Sequence, residues 1–369
     1  MDKTTTYHRI VAYGAGLLVI ANLLPLLLFV VQPKLFYYRA AEYFNDFVFK
    51  GAAYETFWEG PETGDQSRHN LFFYQEAKFN RVFVDADGIR PAPIKAERYP
   101  IVVTGDSTIW GGGVSDEETL PSRLAVRLQK PVFNGSAAPI RIRNVLKHPA
   151  LADVRTIIEC RTERFTIGHR LHSLVSPHDY SPPRRRPQRH RAVNTINALI
   201  DAPMKRYALF SLMSNMVVRF RNDLTLYYHG GRQKPYLFVP HAMKPEDLES
   251  AVAGVISHSE HFKALGKRYI FVSIPAKQSV VDPPHDVDPF TRDYLLQLTP
   301  RLVEAGVETI DLLTPFRERR DDVLFQRYDT HWNEKGIDLA AQVISHYLTT
   351  GESSLPQDPA SRPAGRVPQ

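Results

Sequence analysis

The sequence predicts an α/β domain with a mainly parallel sheet, lying between about residues 96 and 350. Three observations predict it. Short apolar runs alternate with helical patterns, as in successive βαβ units. The first run, IVVT at 101–104, is apolar or β-branched throughout and stops at Gly105, as a strand buried on both faces does. Polar fragments, GDS after the first run and DTHW before the last helical pattern, fall where an open parallel sheet carries its sites.

The elements follow in order. From Ile10 to Val31 the chain reads IVAYGAGLLVIANLLPLLLFVV, 22 residues without a charge. As a helix this measures about 33 Å, enough for a hydrocarbon core of roughly 30 Å. A signal peptide has a shorter apolar stretch and a small-residue cleavage site, and no such site follows here. The expectation is an uncleaved transmembrane anchor over 10–31 behind a tail at 1–9. Lys3 and Arg9 before the span and Lys34, Arg39 and Lys50 after it leave its orientation open. Residues 32–95 form an aromatic-rich juxtamembrane extension, with a turn at Asp87-Gly88.

Within the domain, TLPSRLAVRLQ (119–129) reads as an amphipathic helix with Leu120, Leu124 and Leu128 on one face. PVFN (131–134), TIIEC (156–160), RYIFVSIP (268–275) and ETIDLL (308–313) read as further strands. Helical patterns cover 246–266 and 293–306, and another begins after Trp332. Residues 161–245 break the alternation and read as an insertion that includes the loop SPPRRRPQRHR. The end, 351–369, is polar and proline-rich and reads as a disordered tail.

Bulk composition excludes little. The 369 residues carry a formal charge of +6, a mild basic excess that suits an anionic polymer or lipid headgroups without demonstrating either. A single cysteine, Cys160, excludes an internal disulfide. No nucleic-acid module is recognisable, and no cofactor motif is read. HSEH (258–261) puts two histidines three apart on a helix without a third ligand, which reads as a solvated face and not a metal site.

Chemistry is concentrated in two fragments. In IVVTGDSTIWGGG (101–113) a buried strand ends in Gly-Asp-Ser, which puts Ser107 at the crevice beyond the strand's carboxyl end. A serine hydroxyl is a weak nucleophile without a base. In RYDTHWNEKG, Asp329 and His331 are two apart, so the carboxylate reaches one imidazole nitrogen across a tight turn while the other faces Ser107. The plainer reading is a helix start, with Asp329 or Asn333 as cap and His331 on the surface.

GDS after the first strand, with Asp-X-His before the last helix, resembles the SGNH (GDSL-type) hydrolase superfamily over roughly 96–350. The DTHW wording, with a Pro-X-Lys segment in SIPAKQSVV (273–281), is similar to alginate-type polysaccharide O-acetyltransferases. The resemblance implies a flavodoxin-like three-layer α/β sandwich, with Ser107 as nucleophile, His331 as base and Asp329 as its orienter. No cofactor and no metal are expected. Two features depart from the pattern. In the alginate-type group the Asp-X-His segment precedes the nucleophile, whereas here it follows. The glycine after the second strand and the Gly-X-Asn-Asp after the third are replaced by NGSAAP (134–139) and IIECRTER (157–164). Oxyanion and substrate contacts therefore fall to Asn134, Gly135, Arg164, Lys277 and Trp332 as candidates, beside the Ser107 N–H. Arg164 reads either as a site cation or as the salt-bridge partner of Glu163, and Lys277 either as a crevice residue or as a surface lysine.

By resemblance the chain is an O-acyltransferase, an O-acetyltransferase of a cell-surface or exported polysaccharide. It sits in a bacterial inner membrane as a single-pass protein with its domain in the periplasm. A membrane-bound acyl-transfer partner supplies the acetyl groups, and nucleic acid is no partner. Two alternatives stand beside this: an esterase of the same fold, in which water replaces the sugar, and a non-catalytic glycan-binding or scaffold subunit of an export complex.

Overall fold

The computed structural model describes residues 3–31, 52–53, 56–62, 78–85, 89–136, 145–166, 184–185, 242–281, 287–326 and 330–352. The anticipated insertion at 161–245 and tail at 351–369 fall almost wholly outside them, as does Asp329.

Nine strands are described: β1 Ala52–Ala53, β2 Thr56–Glu62, β3 Lys78–Val84, β4 Ile101–Thr104, β5 Val132–Asn134, β6 Thr156–Thr162, β7 Arg184–Arg185, β8 Arg268–Ile274 and β9 Glu308–Asp311. Five of them make one parallel sheet in the order β5-β4-β6-β8-β9. These are the five strands expected from the sequence. Buried residues fill them: all four positions of β4, all three of β5 and six of seven in β6. Parallel strands covered on both faces have this composition. β2 and β3 pair antiparallel outside this sheet.

The helices are α1 Lys3–Val31, α2 Ser107–Trp110, α3 Leu120–Leu128, α4 Pro245–Ala264, α5 Lys277–Val280, α6 Pro289–Arg292, α7 Tyr294–Glu304, α8 Leu313–Glu318 and α9 Glu334–Thr350. α3 packs on α9, and α4 packs on α7 and β8. Leu120 and Leu124 of α3 are buried and Leu128 packs against the core, while Val126 is exposed, matching the face read from the heptad-like spacing. Helices pack on the strands of the parallel sheet, which makes an α/β architecture.

The chain runs from β4 out to β5 and then returns to β6 on the other side of β4. Strand order reverses between β4 and β6, and the crevice at such a reversal is where open α/β sheets place their sites. Ser107 follows β4 directly, and Glu163 follows β6.

β6 is two residues longer than its apolar run. Glu159 and Arg161 lie inside the sheet because they have partners: Arg161 Nε donates to Glu159 Oε1 at 2.7 Å, and Tyr269 OH donates to Oε2 at 2.8 Å. His258 Nδ1 is 2.8 Å from that same Oε2. His258 is thus buried on α4 and not on a solvated face, which corrects the reading of HSEH. No cluster of metal-ligating side chains is present among the described residues.

Among the described residues, no helix is long and apolar enough to cross a membrane. The side chains of α1 are described at 5–20 and at Leu23, which is less than the uncharged span from 10 to 31.

Candidate active site

Asp106 builds the turn that presents the serine. It caps α2, its Oδ1 accepting from Thr108 N at 2.8 Å, while its Oδ2 accepts from Thr162 N at 3.1 Å across the crevice. One carboxylate therefore ties the end of β4 to the end of β6. Gly105 precedes it because nothing larger fits: a Cβ there would lie 2.5 Å from Ile109 Cγ1 and 2.7 Å from Cys160 O.

The histidine arrives on a hairpin. Gln326 N donates to His331 O and Asn333 N to Leu324 O, both at 3.0 Å, and Phe325 bridges Trp332. Asn333 is the cap of α9, its Oδ1 accepting from Lys335 N at 3.0 Å and Gly336 N at 3.1 Å. The cap expected at this helix start is therefore present, and it leaves His331 to a different task. His331 is buried, and its Nε2 lies 2.8 Å from Ser107 Oγ. This is the separation at which a base takes a hydroxyl proton. Gly112 lies against the imidazole, where a Cβ would come within 3.3 Å of Nε2.

Trp332 stands behind the pair. Its Nε1–H donates to Thr108 O at 3.2 Å, and its ring tilts against Phe316. It is 1% exposed, so it braces the serine helix and does not line a substrate surface. Lys277 is also buried; its ammonium donates to Gln326 O, the residue whose N–H holds His331 O. The surface-lysine reading is thereby excluded.

Asn134 is buried at the end of β5. Its Oδ1 accepts from Ser136 N at 3.2 Å, and its Nδ2 has no acceptor among the described residues. The Gly135 N–H donates to Val103 O at 2.8 Å and so belongs to the sheet. Arg164 Nη2 donates to Thr330 Oγ1 at 3.4 Å, and the guanidinium lies 4.9 Å from the Phe165 ring. It does not pair with Glu163, whose Oε2 accepts from Ala276 N at 2.9 Å and Ser279 Oγ at 2.7 Å. Burial raises Glu163 to about 7, against the pull of those two hydrogen bonds and the Arg317 charge. Burial and the nearby Asp106 push the Cys160 thiol well up, so it offers no competing nucleophile.

One buried residue beside the site has no local signature. Arg90, fully buried, donates from Nη1 to Gly111 O at 2.6 Å and to Trp110 O at 3.2 Å, and from Nη2 to Val114 O. Its Nε binds Asp116 at 2.5 Å. Phe83 N of β3 donates to the same Asp116 at 2.7 Å. The stretch read as a juxtamembrane extension therefore supplies the clamp on the glycine loop. The DGIR turn was the available signal, but nothing in it indicates which loop the arginine reaches.

Residues 234–366 match the family model of the SGNH hydrolase-like domain, acetyltransferase AlgX. The resemblance read from the sequence is borne out there. The AlgX-type stretch runs through β8, β9, α9, Lys277 and His331, and begins after Ser107, Asn134 and Arg164. The SGNH-like histidine half is joined to the serine half by the 2.8 Å hydrogen bond. No curated protein sequence matches the chain.

Proposed function

We propose that the chain is a serine acyltransferase: an O-acetyltransferase acting on an exported or cell-surface polysaccharide. One observation carries the chemistry, the contact of Ser107 Oγ with His331 Nε2 at the switch point of a parallel sheet. The match to an acetyltransferase domain favours acetyl as the group moved.

His331 Nε2 accepts the Ser107 proton as Oγ attacks the acetyl carbonyl of the donor. The tetrahedral intermediate collapses, the imidazolium returns the proton to the leaving group, and Ser107 is left as an acetyl ester. A sugar hydroxyl then attacks that ester, giving its proton to Nε2. The Ser107 C–O bond breaks and Oγ takes the proton back. Asp329, two residues before His331, is the proposed orienter of the ring. The Asn134 amide, buried without an acceptor, and the Ser107 N–H at the first position of α2 are the proposed donors to the oxyanion.

An anchored, periplasm-facing placement is part of the same proposal. In α1, Ile10, Val11, Leu17, Leu18, Val19, Ile20 and Leu23 are each more than half exposed, as side chains meeting lipid are. A membrane partner that supplies acetyl groups follows from that placement, because a cytoplasmic donor does not reach a periplasmic site.

The test is the intact mass of the full-length protein in detergent after brief exposure to p-nitrophenyl acetate. One acetyl on the wild type, absent from Ser107→Ala and His331→Ala, is expected. A folded wild type that takes no acetyl would overturn the reading in favour of a non-catalytic glycan-binding subunit. Esterase and transferase separate on whether a glycan hydroxyl outcompetes water for the acetyl-enzyme.

A further inference from the structure

Beside the catalytic pair lies a small cavity that the two half-reactions leave unexplained. Thr162, Glu163, Arg164, Lys277, Gln278 and Thr330 line it together with Met243 and Ala276. Both catalytic residues have a neighbour at its wall. Thr330 precedes His331 in the chain, and Thr162 Oγ1 lies 3.2 Å from the hydroxyl of Thr108, which follows Ser107.

Two of the lining residues each carry a buried polar atom with no hydrogen-bond partner among the described residues, Glu163 Oε1 and Arg164 Nε. Glu163 is 1% exposed. Leaving such atoms unpaired costs on the order of 1–3 kcal/mol each, so a site retains them where a ligand satisfies them. With Glu163 ionised, above about pH 7, they are of opposite kind: the carboxylate oxygen accepts and the guanidinium N–H donates. A hydroxyl satisfies both at once, because its hydrogen donates and its oxygen accepts.

We propose that this cavity is a subsite for one hydroxyl of the acyl acceptor, held between Glu163 Oε1 and Arg164 Nε, so that the enzyme favours polyhydroxylated acceptors over simple alcohols. The inference rests on the acyl-enzyme reading of Ser107 and adds the residues that grip the acceptor. The hydroxyl in the subsite is not the one that reacts. It anchors the acceptor while a second hydroxyl attacks the Ser107 ester and passes its proton to His331.

Glu163→Gln is the discriminating change. The amide oxygen keeps the bonds from Ala276 N and Ser279 Oγ, which turns an NH2 toward the cavity. Two donors then face the hydroxyl and none accepts from it. Full-length protein in detergent is acylated with p-nitrophenyl acetate while glycerol and propan-1-ol compete as acceptors, and the acetylated products are counted. Because both alcohols compete for the same acetyl-enzyme, their product ratio does not depend on how fast a variant acylates. Per hydroxyl, the wild type is expected to prefer glycerol by about tenfold, or roughly 1.4 kcal/mol, and Glu163→Gln to lose most of that preference. If Glu163→Gln fails to fold, Arg164→Lys, which withdraws the Nε donor and keeps the charge, reads the same ratio. A wild type that acylates without preference, or an unchanged ratio in the variants, overturns the subsite alone and leaves the cavity to a trapped water. A wild type that never acylates overturns the serine chemistry, and the subsite with it.

Discussion

Arg90 Nη1 donates to Gly111 O at 2.6 Å, joining the segment before the α/β domain to the loop that follows Ser107. The guanidinium holds three carbonyls between Trp110 and Val114 and pairs with Asp116. Within that loop a Cβ at Gly112 would come within 3.3 Å of the His331 ring, so the clamp fixes a loop that runs close to the Ser107–His331 pair. Arg90→Met strands those carbonyls and Asp116 and is expected to cost roughly 3 kcal/mol of stability. Arg90→Lys keeps the charge but cannot span the loop. It is expected to fold and to slow the acylation burst by about tenfold, roughly 1.4 kcal/mol of barrier. Melting curves and burst rates on both variants check this. A full-rate burst in Arg90→Lys would show that the loop needs no clamp.

Trp332→Phe keeps an aromatic ring beside Phe316 and deletes one hydrogen bond. Thr108 O is then left buried without its indole partner, for an expected loss of about 1–3 kcal/mol. The effect on acylation is smaller, because the Ser107–His331 contact itself is untouched. If Trp332 instead gripped substrate, acceptor KM would rise while the melting temperature stayed put.

Asn134 has an Nδ2 group with no acceptor, in a position where burial makes that costly. Asn134→Ala removes the proposed oxyanion donor and is expected to lower the acylation rate by roughly a hundredfold or more. Asn134→Asp, of nearly the same shape, is expected to be no better, since a carboxylate repels the developing negative charge. Pre-steady-state release of p-nitrophenolate measures both. Near wild-type bursts in the two variants would remove Asn134 from the mechanism.

What the sequence disclosed and what it hid divides along local and nonlocal lines. Parallel strands buried on both faces show as unbroken apolar runs, which is why β4 and β5 were legible almost to the residue. The Ser107–His331 pair was legible because each member sits in a short motif at an element boundary. β6 was cut short at Cys160, because Arg161 reads as exposed until its partner Glu159 and that residue's contacts with His258 and Tyr269 are known. Those contacts come from β8 and α4, about a hundred residues away. Arg90 was missed for the same reason. A lone arginine after a turn carries no mark of the distant loop it clamps. Asn333 shows the converse case, where the plain reading as a helix cap holds and its neighbour His331 is still in contact with Ser107.

Two buried glutamates predict opposite pH responses. Burial works against charge at Glu159, yet Arg161 and His258 outweigh it and hold the carboxylate at about 2, below the ordinary 4.5. Its contribution is present above 4.5 and is lost as the pH falls through about 2. At Glu163 burial wins and the carboxyl rises to about 7. The folded protein then binds this proton more tightly than the unfolded chain, so stability is full below 4.5 and declines as the pH rises through about 7. The decline amounts to about 3 kcal/mol, taking 1.36 kcal/mol per pH unit over that window. Glu163→Gln cannot titrate. The wild type is therefore expected to lose roughly 3 kcal/mol relative to this variant between pH 4.5 and pH 8. Denaturant unfolding of both proteins across that range, in the same detergent, gives the difference directly. Curves that run parallel would mean that Glu163 is charged in the folded state throughout, stabilised by contacts other than those from Ala276 and Ser279.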